Sequence, residues 1–178
     1  TFYISFDLNG RALYQGVDPE TGQVKPDWTV AANQPIITPV VESARGGTVT
    51  LSLHRWYYND DSQPLNFNGT TTDGWTLDST GKFALRAADG SIKIVANLAS
   101  AINTANDTLK YTCQATLNGV EYNLSKTIDI VIQNIGASSY YGWIDASYPV
   151  LDSVTHPTVT LTAGLMLAGE ALASSAFY

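Results

Sequence analysis

Between residues 108 and 133, apolar and polar residues alternate almost without a break. Leu109, Tyr111, Cys113, Ala115 and Leu117 share one parity, with Lys110, Thr112, Gln114 and Thr116 between them. After Asn118-Gly119 the alternation resumes through Val120, Tyr122 and Leu124. A period of two sends successive side chains to opposite faces of a strand, and Asn-Gly takes the positive φ values of a type I′ turn. Such a turn pairs Leu117 with Val120, Ala115 with Tyr122 and Cys113 with Leu124, so the apolar residues land on one face. Ile128, Ile130 and Ile132 continue that face. Only Lys126 interrupts it, which predicts a bulge or a strand end there.

The same pattern read elsewhere predicts further short strands. Phe2, Ile4, Phe6 and Leu8 precede a second Asn-Gly, Asn9-Gly10, and predict an N-terminal hairpin returning to about Gln15. Residues 16–34, with Pro19, Gly22 and Pro26, read as a linker. Strands are then expected at 35–42, 49–58, 65–67, 75–77, 83–86 and 92–98, with a hairpin turn at Asp89-Gly90. Many short strands with regular turn signals indicate a sandwich or barrel, not a parallel βαβ sheet. Residues 99–106 are expected to hold a single helical turn, and 165–173 is the other helix-friendly piece.

Composition narrows the function classes. Charged residues are 14% of the chain, against about 25% in an average domain, so Thr, Ser, Asn and Gln must supply the wet surface. The net charge is -7 and the nine basic residues are scattered singly, which excludes the clustered cations that nucleic-acid binding needs. No apolar run approaches the ~18 residues of a membrane span. Cys113 is the only cysteine, so neither an intrachain disulfide nor a cysteine zinc site can form.

Asp107-Thr108-Leu109-Lys110-Tyr111-Thr112-Cys113 resembles the Asp-x-x-x-Tyr-x-Cys signature on strand F of immunoglobulin-like domains. Trp56 lies at a separation suited to the buried strand-C tryptophan of that family. The resemblance implies that Tyr111 forms a corner by bonding to nearby backbone. The partner cysteine of strand B is missing, and Val40 or Val41 is expected in its place. Trp56-Tyr57-Tyr58-Asn59, Gly81-Lys82-Phe83 and Ser91-Ile92-Lys93-Ile94 with Asn97-Leu98 make residues 33–132 similar to the immunoglobulin-like modules of bacteriophage tail and virion proteins. Bacterial surface adhesins carry similar modules.

Residues 156–161 repeat the placement of Pro, β-branched residues and Thr seen at 34–39, an offset of 122 residues that carries Trp56 onto Tyr178. The expected organisation is therefore an all-β chain in four parts. These are a hairpin and linker (1–34), an immunoglobulin-like β-sandwich (35–135), a connector (136–148) and the start of a second such repeat (149–178).

Candidate chemistry is sparse. His54 and His156 share no motif, and no Gly-x-Ser-x-Gly elbow accompanies them. Cys113 falls on the apolar face of its strand, the wrong setting for an activated thiolate. The acidic turns Asn59-Asp60-Asp61 and Asp18-Pro19-Glu20 lack the spaced ligands of a calcium loop and read as solvated turns. No catalytic residue, metal or cofactor is expected. Aromatics are the richer feature, with ten Tyr and four Trp. Trp28, Trp75, Tyr140, Tyr141 and Trp143 are placed in loops or near strand ends, free to pack a junction between domains or to stack on sugars. The resemblance implies a non-enzymatic structural module of a phage particle, located in the virion and contacting other copies or other virion proteins. The alternative is an adhesin or carbohydrate-binding module on a bacterial surface, with a host glycan or protein as partner.

Overall fold

A computed structural model describes residues 1–136 and 139–176. Its strands run in chain order as β1 (Phe2–Asp7), β2 (Tyr14–Val17), β3 (Val24–Lys25), β4 (Ile36–Ser43), β5 (Thr50–Tyr58), β6 (Thr71–Thr72) and β7 (Trp75–Leu77). They continue as β8 (Phe83–Arg86), β9 (Ser91–Ile94), β10 (Asp107–Leu117), β11 (Val120–Asn134), β12 (Tyr140–Ala146), β13 (Leu161–Leu167) and β14 (Glu170–Ala171). The chain is all-β, with no α-helix among the described residues. A six-stranded sheet has the order β1-β4-β9-β8-β7-β6, a five-stranded sheet the order β3-β2-β11-β10-β5, and a third sheet the order β12-β13-β14.

The first two sheets form the layers of a β-sandwich. The central strands send alternate residues into the core: Ile37 and Val41 from β4, Trp56 from β5, Phe83 from β8, Ile92 and Ile94 from β9, Leu109, Tyr111, Cys113 and Ala115 from β10. Val41, not Val40, stands in the core with Cys113; Val40 points outward. The β10–β11 hairpin has the expected register, with Leu117 opposite Val120, Ala115 opposite Tyr122 and Cys113 opposite Leu124. Asn118 and Gly119 both take positive φ (52° and 76°), as a type I′ turn requires.

Several expectations are corrected. The register runs unbroken past Lys126, which faces Tyr111, so no bulge or strand end lies there. The lysine instead reaches across to the other sheet, donating from Nζ to the Ile4 carbonyl at 2.7 Å, with its cation 5.9 Å from the Phe6 ring centre. A long apolar stem lets it cross the mouth of the sandwich while its charged end finds an acceptor.

The N-terminal hairpin does not form. Phe2–Asp7 pairs antiparallel with β4, and Tyr14–Val17 pairs parallel with β11. Asn9 and Gly10 do adopt positive φ, but the turn carries the chain from one layer to the other. A hairpin would set Leu8 against Arg11; crossing over lets Phe2, Ile4 and Phe6 pack on the core and buries all of β2. Residues 16–34 are correspondingly part of the sandwich, with β3 paired to β2 and Trp28 in the core.

Residues 65–67 form no strand, although the Leu65 N–H bonds the Trp56 carbonyl. No helical turn forms at 99–106; a Ser100–Asn103 bridge closes a tight turn there. Residues 165–173 are not helical but carry the β13–β14 hairpin through Ala168-Gly169, both at positive φ as a tight two-residue turn requires. The expected connector at 136–148 holds β12, which pairs with β13 along its whole length. Tyr178 and Phe177, on which the repeat spacing relied, lie outside the described residues.

Candidate functional site

Three groups of side chains carry the chemistry, and the first centres on a bulge in β5. The register between β10 and β5 slips between Thr112 and Gln114, so Leu53 and His54 together face Cys113. Leu53 takes φ +54° and turns outward, 57% exposed. The bulge re-aims His54 inward. Its Nδ1 lies 2.6 Å from the Tyr111 hydroxyl. Gly90 must be small here, since a Cβ would come within 2.3 Å of that same nitrogen. The Gly90 carbonyl also accepts the Trp56 indole N–H at 2.8 Å. The resemblance implied that Tyr111 would bond to nearby backbone; instead its hydroxyl meets His54 on the neighbouring strand, because the bulge brings the imidazole within reach.

Asp89, beside this cluster, holds Arg86 through two hydrogen bonds (3.1 and 2.8 Å) and accepts the Ser91 N–H. Burial would raise its pKa, but the Arg86 and Ser91 bonds outweigh it and bring the carboxyl to about 2. Burial lowers the pKa of His54 and raises that of Cys113. Those directions oppose a thiolate–imidazolium pair, so the arrangement locks a bulge to a turn. Asp107, also buried, accepts hydrogen bonds from Tyr58, Asn59 and Asn103 and ties together the loops flanking β10.

The second group was not visible in the alternation pattern. Gln15 is fully buried and uses its whole amide. Its Nε2 donates to the Pro26 carbonyl (2.9 Å) and to Asn97 Oδ1 (2.8 Å), while its Oε1 accepts the Leu98 and Ala99 N–H groups. Asn97 in turn accepts the Trp28 N–H and donates to Asp27. The available signal was Tyr14-Gln15-Gly16-Val17 between two turns: a strand buried on both faces must satisfy any amide it carries.

The third group holds the candidate aromatics. Tyr14 stacks on Tyr141 with ring centres 4.4 Å apart at 13°, and Tyr141 lies near parallel to Trp143 at 6.0 Å. The Trp143 ring covers Gly164 on the paired strand, where a Cβ would sit 2.1 Å from it. With Ala12 and Met166 these rings make a second apolar cluster joining the sandwich to the third sheet. Beside it lies a cleft of about 660 Å³ lined by Trp28, Trp143 and Met166 and by Asp27, Asn97 and the Lys25–Glu170 pair. Those polar groups already bond one another, which makes the cleft a held seam.

The five expected interaction aromatics therefore scatter. Trp28 is 1% exposed, a core residue whose edge reaches the cleft, which corrects its placement in a free loop. Only Tyr141 and Trp143 come together, on the face of β12 that meets the sandwich. Tyr140 lies on the opposite face, 58% exposed. Trp75 is on the outer face of the six-stranded sheet, between the Arg86 guanidinium (4.7 Å) and the Lys93 ammonium (4.4 Å).

A smaller clasp closes the other side of the junction. His156 Nε2 lies 2.5 Å from Glu42 Oε2, and the imidazole stacks on Tyr148. Burial, then the neighbouring Glu42 carboxylate, pushes the Tyr148 hydroxyl up to about 12. The acidic turns cap themselves: Asp18 accepts the Glu20 and Thr21 N–H groups and Asp61 that of Gln63. Among the described residues no three His, Cys, Asp or Glu side chains converge in a way that could hold a metal ion. No family model, curated protein or solved structure matches this chain.

Proposed function

We propose that this chain is a non-enzymatic structural module, an immunoglobulin-like sandwich that joins and spaces its neighbours in a phage particle. The strand order supports the immunoglobulin-like part. If β1, β4, β5, β8, β9, β10 and β11 stand for strands A, B, C, D, E, F and G, the layers run A-B-E-D and G-F-C, as in that family. Trp56 and Tyr111 then face each other on strands C and F, and Val41 fills the place of the strand-B cysteine. The particle and its virion location rest on the resemblance of residues 33–132 to phage tail and virion modules.

The observation that carries the spacer reading is the Tyr14–Tyr141–Trp143 stack. Aromatic residues that the glycan-binding alternative would leave open are used to fix the third sheet against the sandwich. A seam held by stacked rings and a buried methionine transmits orientation from one unit to the next, which is what a spacer needs. Hydrogen exchange tests it. Amides of β12 and β13 should be protected well above the unfolded rate, and a Tyr141→Ala, Trp143→Ala double variant should speed their exchange at least tenfold while β10 and β11 stay unchanged. Unprotected β12 and β13 amides in the unaltered protein would sink the spacer reading.

A further inference from the structure

Two tryptophans are almost wholly buried, and they treat their indole N–H groups differently. Trp56 donates its own to the Gly90 carbonyl at 2.8 Å. Trp28 is 1% exposed, and among the described residues only its backbone N–H is bonded, to Asn97; the indole N–H meets no acceptor. No nitrogen or oxygen shut off from solvent lacks a partner among those residues, so the Trp28 Nε1 must lie at the sliver of the ring that stays open. That edge reaches the cleft of about 660 Å³ at the seam between sandwich and third sheet. A buried donor is normally satisfied inside the protein. One left at the wall of a cavity is available to whatever enters.

The same cleft holds a spare acceptor. Asp27 Oδ1 takes the Thr29 N–H, the Thr29 hydroxyl and Asn97 Nδ2, while no hydrogen bond among the described residues reaches Oδ2. Arg11, exposed on the rim, is in no ion pair among those residues. The bonds that hold the seam thus leave over a donor, an acceptor and a cation, and Trp143 and Met166 supply an apolar wall beside them. Such a mixture is typical of small-molecule sites, whose volumes run from roughly 300 to 1,000 Å³. Charge narrows the choice. In a chain of net -7, Arg11 and Lys25 balance Asp27 and Glu170 around this cleft. An anion entering meets two carboxylates and a cation meets two basic groups, so neither gains from its charge.

We infer that this cleft binds a neutral sugar. A hydroxyl both accepts and donates, so one sugar ring can take the Trp28 N–H and give a proton to Asp27 Oδ2. Its C–H face then has the Trp143 and Met166 wall to lie on. None of the seam's own bonds is displaced, and Tyr14 and Tyr141, which do not line the cleft, keep their stack. The inference goes beyond the spacer reading and does not rest on it.

The four tryptophans give four indole N–H signals in a nitrogen–proton spectrum, each assignable through its backbone. The full chain is titrated with lactose, maltose and N,N′-diacetylchitobiose, all neutral, to about 50 mM. At least one should move the Trp28 signal saturably, with a Kd of about 0.1–10 mM, while the Trp75 signal on the far sheet stays in place. Trp28→Phe and Ala171→Phe should each weaken that binding at least tenfold, read by saturation transfer to the sugar protons. Ala171 lines the cleft from an exposed position, so a larger side chain there blocks entry without asking the core to repack. It decides the matter even where Trp28→Phe does not fold. A Trp28 signal unmoved by all three sugars overturns the inference, as does binding that Ala171→Phe leaves intact. Tighter binding of digalacturonate than of any neutral sugar overturns it too. Exchange at β12 and β13 judges the spacer reading separately, so the two failures are told apart.

Discussion

The sandwich and the third sheet are built from the same kind of alternating strand, yet they reach order by different routes. In the sandwich the central inner residues meet another layer of the same chain, and Trp56, Tyr111 and Ile37 reach 0% exposure. The third sheet has one face on the sandwich and the other bare, with Met166 its one buried large side chain. One region supplies its own second layer and the other borrows half of one. Local pattern therefore decides which residues want burial, whereas topology decides whether they obtain it.

The largest test of that contrast compares two tryptophans. Trp56→Ala removes a wholly buried ring from the sandwich and should cost about 3–5 kcal/mol of global stability in a denaturant melt. Trp143 is only partly covered, so Trp143→Ala should cost about 1–2 kcal/mol, confined to β12 and β13. Equal losses, or global unfolding from Trp143→Ala, would mean the two regions form one cooperative core.

Titration should separate the same regions from opposite ends of the pH scale. Burial holds the pKa of His54 below 6.5, with Asp89 pulling the other way. The unfolded chain thus binds more protons than the fold once the pH drops below 6.5, and the sandwich loses stability from there down to the depressed value. Tyr148 runs the reverse course. Its pKa is raised from 10 to about 12, so the clasp is at full strength below pH 10 and weakens as the pH rises through 12. Exchange measured from pH 5 to 11 should show β5 loosening first in acid and residues 147–156 first in alkali. Tyr111→Phe, which leaves the His54 nitrogen without its hydroxyl, should cost about 1–3 kcal/mol at pH 8.

How much of this was legible depended on where each strand's partner lay. The β10–β11 hairpin was readable to the residue because its partner is two residues away and the Asn-Gly turn fixes the register. Strand β7, Trp75–Leu77, and strand β8, Phe83–Arg86, were also placed as read, since turns bound them on both sides. The Asn9-Gly10 turn misled because the same positive φ values serve a hairpin and a crossing between layers; only the poor match of Leu8 with Arg11 hinted at the second. Lys126 looked like a break in the pattern because the alternation cannot show a free carbonyl on another sheet. Trp28 was misplaced because its turn-rich neighbours suggested a loop, and the role of Gln15, read only as the end of a strand, went unseen; the hydrogen bonds of both run to Asn97, more than 60 residues away. The junction was half legible, as an aromatic group that wanted a surface, without the β12–β13 pairing that chooses which rings face it.

The smallest effect concerns the salt bridge between Lys25 on β3 and Glu170 on β14, the one ion pair among the described residues that links the sandwich to the hairpin of the third sheet. Its length is 3.1 Å, but the side chains are 39% and 72% exposed, so water competes for both charges and salt screens what remains. Glu170→Gln should change stability by no more than about 0.5 kcal/mol and should leave exchange at β12 unaltered. The hairpin has a better anchor than the charge. A Cβ at Gly169 would sit 2.7 Å from the Lys25 carbonyl oxygen and from its Cβ, so the turn rests against the β3 backbone itself. Gly169→Ala, at φ +80°, should accordingly disturb the seam more than removing the carboxylate does, and thermal melts of the two variants side by side give the order directly. If Glu170→Gln proved the more damaging, the seam would be held by charge, and the distinction between a borrowed apolar layer and an electrostatic tether would have to be redrawn in favour of the tether.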